Sequence, residues 1–215
     1  MNSINNLING NKEFVKEKLE KDSNFFNTLA KGQSPEVLWI GCADSRAPES
    51  EITNSEAGKI FVHRNIANMV VHTDMNLLSV LDYAVNILKV KHVVVCGHYL
   101  CGGVKAAMGG KQNGIVDNWI RHIKDVYRLH EKELESISDD DIRFDRLVEL
   151  NVYEQVFDLL KTSIIQNAWA NSDFPKIHGW VFDIRTGFIK DLNITLDKNS
   201  TIPELYKIDS KTVSE

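Results

Sequence analysis

Two short runs without a charged residue, VLWIG at 37–41 and VVVC at 93–96, constrain this chain more than any other feature. Each is long enough for a strand and too short for a buried helix, and the second is β-branched at three successive positions. Between them, apolar residues at 77, 78, 80, 81, 84, 85, 87 and 88 follow a helical period. Continuous apolar strands joined by a helical crossover imply a parallel sheet covered on both faces, with reactive groups collecting at the carboxyl ends of strands. The expected fold class is therefore α/β, a mostly parallel central sheet with flanking helices.

The remaining elements follow by the same reading. A run at 59–63 leads into Arg64 and Asn65, and helical patterns occupy 115–136 and 142–162 on either side of an acidic linker at 136–141, read as a solvated turn. Segments 176–182 and 188–192 read as strands around the turn Arg185-Thr186-Gly187. At 215 residues the chain fits a single domain, with a helical arm at 1–32 and a polar tail at 198–215. The arm carries two short amphipathic patterns between residues 11 and 30, too short to bury themselves, so a partner subunit is one candidate for what covers them.

Lys and Arg number 25 against 30 Asp and Glu, a net charge of −5 with no basic stripe, which excludes the electrostatics of nucleic-acid binding. No window reaches the ~18 apolar residues of a membrane span, and the first twenty residues lack the pattern of a secretory signal. A cytoplasmic protein is expected. Three cysteines make a disulfide framework improbable, and Cys96, inside its apolar run, reads as a small buried hydrophobe.

The other two cysteines lie just past the strands. Cys42 closes the first run, while His98 and Cys101 stand three residues apart in VVVCGHYLCGG, where glycines permit a turn that aims both side chains at one point. Three such donors leave a fourth metal position open. Asp44 could fill that position or accept a hydrogen bond from water bound there, and Arg46 can hold the Asp44 carboxylate in a forked contact. The bland alternative for Asp44 and Arg46 is a surface ion pair worth little.

Cys42-x-Asp44-x-Arg46, the stretch Arg64-Asn65-Ile66-Ala67-Asn68, and Cys96-Gly97-His98-x-x-Cys101-Gly102-Gly103 together resemble the β-class carbonic anhydrases, from about Gln33 to Leu192. The Asn118-Trp119 and Glu149-Leu150-Asn151-Val152 segments match in order and spacing. The resemblance implies a β-carbonic-anhydrase-like fold with an N-terminal arm on a partner subunit, assembled as a homodimer or homotetramer with active sites at the dimer interface. It implies one zinc ion per chain on Cys42, His98 and Cys101, Asp44 and Arg46 as a catalytic dyad, and Gln33 as a third catalytic residue. Phe61, Ile66 and Tyr83 would line the substrate pocket, although strand or loop core is an equal reading for Phe61 and Ile66.

Trp39 and Arg64 resemble a bacterial subgroup in which the aspartate closes the zinc site as fourth ligand and bicarbonate binds an allosteric, non-catalytic pocket. Phe182 stands where that subgroup has a tyrosine, so a hydroxyl contact is missing and Trp39 reads equally well as packing. The activity implied is reversible hydration of carbon dioxide to bicarbonate and a proton, with zinc-bound hydroxide as nucleophile. Hydrolysis of carbon disulfide or carbonyl sulfide, and a non-catalytic zinc or bicarbonate-responsive regulator, are the competing readings. A thiol oxidoreductase fits poorly, because no Cys-x-x-Cys is present.

Overall fold

A computed structural model describes residues 3–209, in an N-terminal unit ending at Ser34 and a larger unit starting at Pro35. In the first unit, α1 (Ser3–Lys21) is followed by the short α2 (Phe25–Leu29). The rings of Phe14, Phe25 and Phe26 meet edge-on, with the Lys18 ammonium over two of them. Helix α1 begins at Ser3, earlier than the pattern at residue 11 suggests. Ile4, Leu7 and Ile8 continue its apolar stripe, which the poor helix formers Asn5, Asn6, Asn9 and Gly10 disguise. No side chain of α1 is buried.

The larger unit is built on β1 (Val37–Cys42), β2 (Ile60–Asn65), β3 (His92–His98), β4 (Lys176–Phe182) and β5 (Ile189–Leu196). Their order across the sheet is β2-β1-β3-β4-β5. The first four are mutually parallel, and β5 runs antiparallel to β4 with an irregularity at Gly179 and Trp180. The expectation of a mostly parallel sheet is met. Alternation within the strands divides the core in two: Leu38, Ile40, Val93 and Val95 face the main cluster under the helices, whereas Trp39, Val94, Cys96 and Phe182 form a smaller cluster on the opposite face. Cys96 is there as a packed thiol, and burial pushes its pKa up.

The crossovers run through α3 (Glu49–Ile52), α4 (Met75–Asp82) and α5 (Gly102–Met108), then α6 (Val116–Leu129), α7 (Glu131–Glu135), α8 (Asp140–Leu160) and α9 (Ser163–Asn171). Asp74 caps α4 by accepting from the Asn76 and Leu77 amides, and the helix ends in a wider turn over Tyr83–Ile87. The acidic linker supplies a cap rather than a binding site, since Asp139 accepts from the Asp141 and Ile142 amides at the start of α8. Helix α8 lies across β3 and β4 and approaches them closely at glycines. A Cβ at Gly97 would sit 2.7 Å from Val152 Cγ2, and one at Gly179 would sit 3.2 Å from Val152 Cγ1.

Three further features differ from the sequence-based reading. The helix expected over 115–136 breaks at His130, a break hidden because Ile120, Ile123, Val126 and Leu134 keep one buried stripe through it. Helix α9 appears after a break at Thr162, whose hydroxyl accepts from the Ile165 amide. The tail is anchored: the Gln166 side chain donates to Tyr206 O at 2.8 Å and accepts from the Ile208 amide at 3.0 Å. Among the described residues no helix is long and apolar enough to cross a membrane.

Candidate metal centre

Strands β1 and β3 are parallel neighbours, so the residues that end them emerge on the same edge of the sheet. Cys42 ends β1 and His98 ends β3. Past His98 the chain reverses through Leu100, which takes a φ of +61°, and returns Cys101 to the edge as the residue preceding α5. The Tyr99 amide donates to Phe182 O at 3.0 Å and keeps this reversal attached to β4.

The three side chains converge, with their ligand atoms within 4.8 Å of one another and all three residues buried. Two sulfurs on one tetrahedral zinc, each ~2.3 Å from it, stand about 3.8 Å apart. Here Cys42 Sγ and Cys101 Sγ are 4.0 Å apart. His98 Nδ1 lies 3.0 Å from Tyr99 O, which assigns the proton to that nitrogen and leaves Nε2 as a lone pair. Nε2 is buried without a hydrogen-bond partner, the condition of an atom reserved for a metal. Two thiols and an imidazole are a donor set suited to zinc, so the residues fit the ion that the sequence implies.

The two thiols are unlike. The two sulfurs share a hydrogen bond, and Cys42 also accepts from the Ala67 amide at 3.3 Å, contacts that draw its pKa down against the opposing effect of burial. The Cys42 thiolate and burial push Cys101 upward. A divalent cation removes that opposition by binding both as thiolates.

Asp44 stands at the rim of the cluster. Its Oδ1 accepts from the Arg46 amide and Nε, both at 2.9 Å, and its Oδ2 accepts from Arg46 Nη2 at 2.8 Å. The forked contact read from the sequence is thus formed, and it holds the Asp44 carboxyl well below the usual carboxylate range. Oδ2 lies 3.7 Å from His98 Nε2, so the carboxylate borders the metal position while remaining in the grip of Arg46.

Arg64 braces the backbone between these groups. Its Nε donates to Cys42 O at 2.9 Å, and its Nη2 donates to Asp44 O at 2.6 Å and Ala47 O at 3.2 Å. The third nitrogen faces Glu49 at 3.7 Å. Trp39 and Phe182 are buried in the smaller core cluster, with the Trp39 and Trp180 rings edge-on at 6.0 Å.

A cleft of about 360 Å³ opens beside Cys42, Asp44 and Cys101. Ile66 lines it, together with Ala106, Val116 and Ile120. Those last three were missed by sequence reasoning, because Val116 and Ile120 at helical spacing look identical to core. Phe61 and Tyr83 do not line this cleft. They pack on each other with ring centroids 5.8 Å apart, and Tyr83 is 45% exposed. Gln33 belongs to the N-terminal unit, where it is exposed.

Donors of this kind at the carboxyl edge of a parallel sheet, beside an apolar cleft and an anchored carboxylate, define a zinc enzyme of the α/β class. A family model described as carbonic anhydrase matches residues 37–189. A carbonic anhydrase of Emericella nidulans is 52% identical over 94% of this chain and 88% of its own length, and one of Candida albicans is 34% identical over 91% and 70%. Among solved structures, a tetrameric β-carbonic anhydrase of Sordaria macrospora superposes with a TM-score of 0.87 at 41% identity, covering 91% of this chain and all of the other. A Coccomyxa β-carbonic anhydrase, solved with acetazolamide, superposes equally well at 37% identity over 91% and 89%. The chain belongs to the carbonic anhydrase family, in its β class. Its activity is the zinc-dependent reversible hydration of carbon dioxide to bicarbonate.

Proposed function

We propose that Asp44 and Arg46 are the catalytic dyad of this hydration, acting beside an ion held by Cys42, His98 and Cys101. Zinc supplies the acidity that makes water a nucleophile near neutral pH. The chain's own residues place and guide that water. Asp44 Oδ2, the carboxylate oxygen nearer His98 Nε2, accepts the hydrogen of the attacking water and so fixes the direction of its free lone pair. Arg46 keeps the carboxylate anionic and in one rotamer through three donors. Carbon dioxide is small and uncharged, and the apolar wall of Ile66, Ala106, Val116 and Ile120 suits it while excluding competing water.

The observation that carries this reading is the forked Asp44–Arg46 contact at the edge of the three-donor cluster. For Asp44 to become a fourth ligand, closing the centre, those hydrogen bonds to Arg46 would have to be given up. Stopped-flow hydration assays of Asp44→Asn, with metal analysis, test the assignment. We expect zinc to be retained and kcat/KM to fall by about 10² or more. Full activity with zinc retained would remove Asp44 from the mechanism.

Gln33, Phe61 and Tyr83 complete the site in our reading as contributions across a homodimer interface, where Gln33 orients the substrate oxygen. The exposed Tyr83 and the edge position of β2 support this, as does an α1 that buries no side chain of its own. Whether the assembly stops at a dimer or continues to a tetramer, the partner is a second copy of this chain, in the cytoplasm. Three unpaired thiols accord with a reducing compartment. At Trp39, Arg64 and Phe182 we favour a bracing role over an allosteric bicarbonate pocket, since Arg64 already serves three carbonyls and Glu49. Bicarbonate titration with Arg64→Met as control separates the two: pH-dependent inhibition that disappears in the variant would favour the anion site.

A further inference from the structure

The turn after β2 is left-handed at two successive residues, a conformation that asparagine accepts and alanine avoids. Ala67 has a φ of +63° and Asn68 a φ of +50°, although neither is glycine. Such backbone persists only where surrounding structure over-determines it, and it marks sites where geometry serves function. Here the product of the strain is visible: the Ala67 N–H is delivered to Cys42 Sγ at 3.3 Å.

The surroundings that enforce it are equally specific. Asn151 Nδ2 donates to Ala67 O at 3.1 Å, and Asn151 Oδ1 accepts from Gln155 Nε2 at 3.3 Å. Gln155 Oε1 in turn accepts from the Val70 amide at 2.6 Å. From α6, Trp119 Nε1 donates to Ile66 O at 2.8 Å. Asn151 and Gln155 sit one helical turn apart on α8 and are each 1% exposed. Polar side chains buried this deeply are retained at a cost unless they are satisfied, and their partners are this turn and each other. Neither residue lines the cleft.

We propose that Asn151 and Gln155 are positioning residues of the metal centre, holding the Ala67 turn left-handed so that its amide donates to the Cys42 sulfur. This rests on the zinc reading of the cluster. A hydrogen bond to a ligating sulfur orients it and draws charge from it, so releasing the turn alters both how firmly the metal is held and how strongly that sulfur donates to it. It also tempers the charge that a second thiolate brings to the ion.

The test uses the zinc-loaded and the cobalt-substituted full-length protein. Asn151→Leu and Gln155→Leu remove the ties, and Trp119→Phe is a milder change that removes only the bond to Ile66 O. Leu159→Val, a fully buried α8 residue, is the control for loss of stability alone. We expect the first three to shift the sulfur-to-cobalt charge-transfer absorption. They should also hasten zinc transfer to a chelator, by about 10- to 100-fold for the α8 variants and by less for Trp119→Phe. Leu159→Val should lower the melting temperature and leave both readouts unchanged. If the α8 variants, or Trp119→Phe should they not fold, kept the wild-type absorption and a release rate within about two-fold of wild type, the inference would be overturned. Wild-type protein that took up neither metal would instead overturn the zinc reading itself.

Discussion

Arg46 contributes three of its donors to one carboxylate, and the consequence for pH is definite. The folded-state pKa of Asp44 is depressed, so its contribution to stability is complete above the ordinary carboxylate value of ~4 and disappears as pH falls through the lower folded value. Its charge is therefore constant over the range in which the enzyme works. Hydration rates measured from pH 6 to 9 should keep their shape in Asp44→Asn while falling at every pH, whereas a titrating Asp44 would change the shape. At the metal, Cys101→Ser removes one of three donors. That protein should be purified with far less than one zinc per chain by elemental analysis, because an ion left with two protein ligands is weakly held. The candidate donors stood out through the spacing of His98 and Cys101 together with the residues that flank them and Cys42. Whether Asp44 would face the metal or Arg46 was not legible there, since both require only that two residues share a side.

At the scale of elements, the approach of α8 to the sheet sets the position of β3 and so of His98. Gly97 precedes that ligand, and a side chain there would have to displace Val152, whose methyl lies 2.7 Å from the Cβ position. Gly97→Val should cost about 1–3 kcal/mol, the usual penalty of overpacking, measured by urea denaturation. Val152→Ala should recover part of the loss in the double variant. The same helix holds the loop after His98, because Glu149 accepts from Tyr99 OH at 2.5 Å, Lys190 Nζ at 2.6 Å and Arg146 Nη1 at 2.8 Å. A helix reads in sequence as a period of apolar positions, and from that period Asn151, Gln155 and Glu149 are merely the polar interruptions. Their tertiary partners Ala67, Val70 and Tyr99 lie 84, 85 and 50 residues away along the chain, so the helical period does not reveal what they hold.

For the whole molecule, the half-buried edge strand β2, the exposed Tyr83 and the unburied face of α1 are surfaces that assembly would cover. Light scattering behind size-exclusion chromatography should give a mass that is an even multiple of 24.4 kDa. Deleting residues 1–32 should shift it downward and reduce activity together with Gln33 still in place, if the arm stabilises the dimer. A wild-type monomer with full activity would refute a site completed by a second copy.

The amino-acid sequence by itself carried the parallel sheet, the candidate metal donors and the family motifs, because strand periodicity and motif spacing are local properties. Only the tertiary structure decided that Arg64 spends its donors on backbone carbonyls, that Val116 and Ile120 line the cleft while packing on the core, and that an alanine amide meets Cys42. Those facts depend on which distant segments meet, and on burial that forces each polar group to find a partner there.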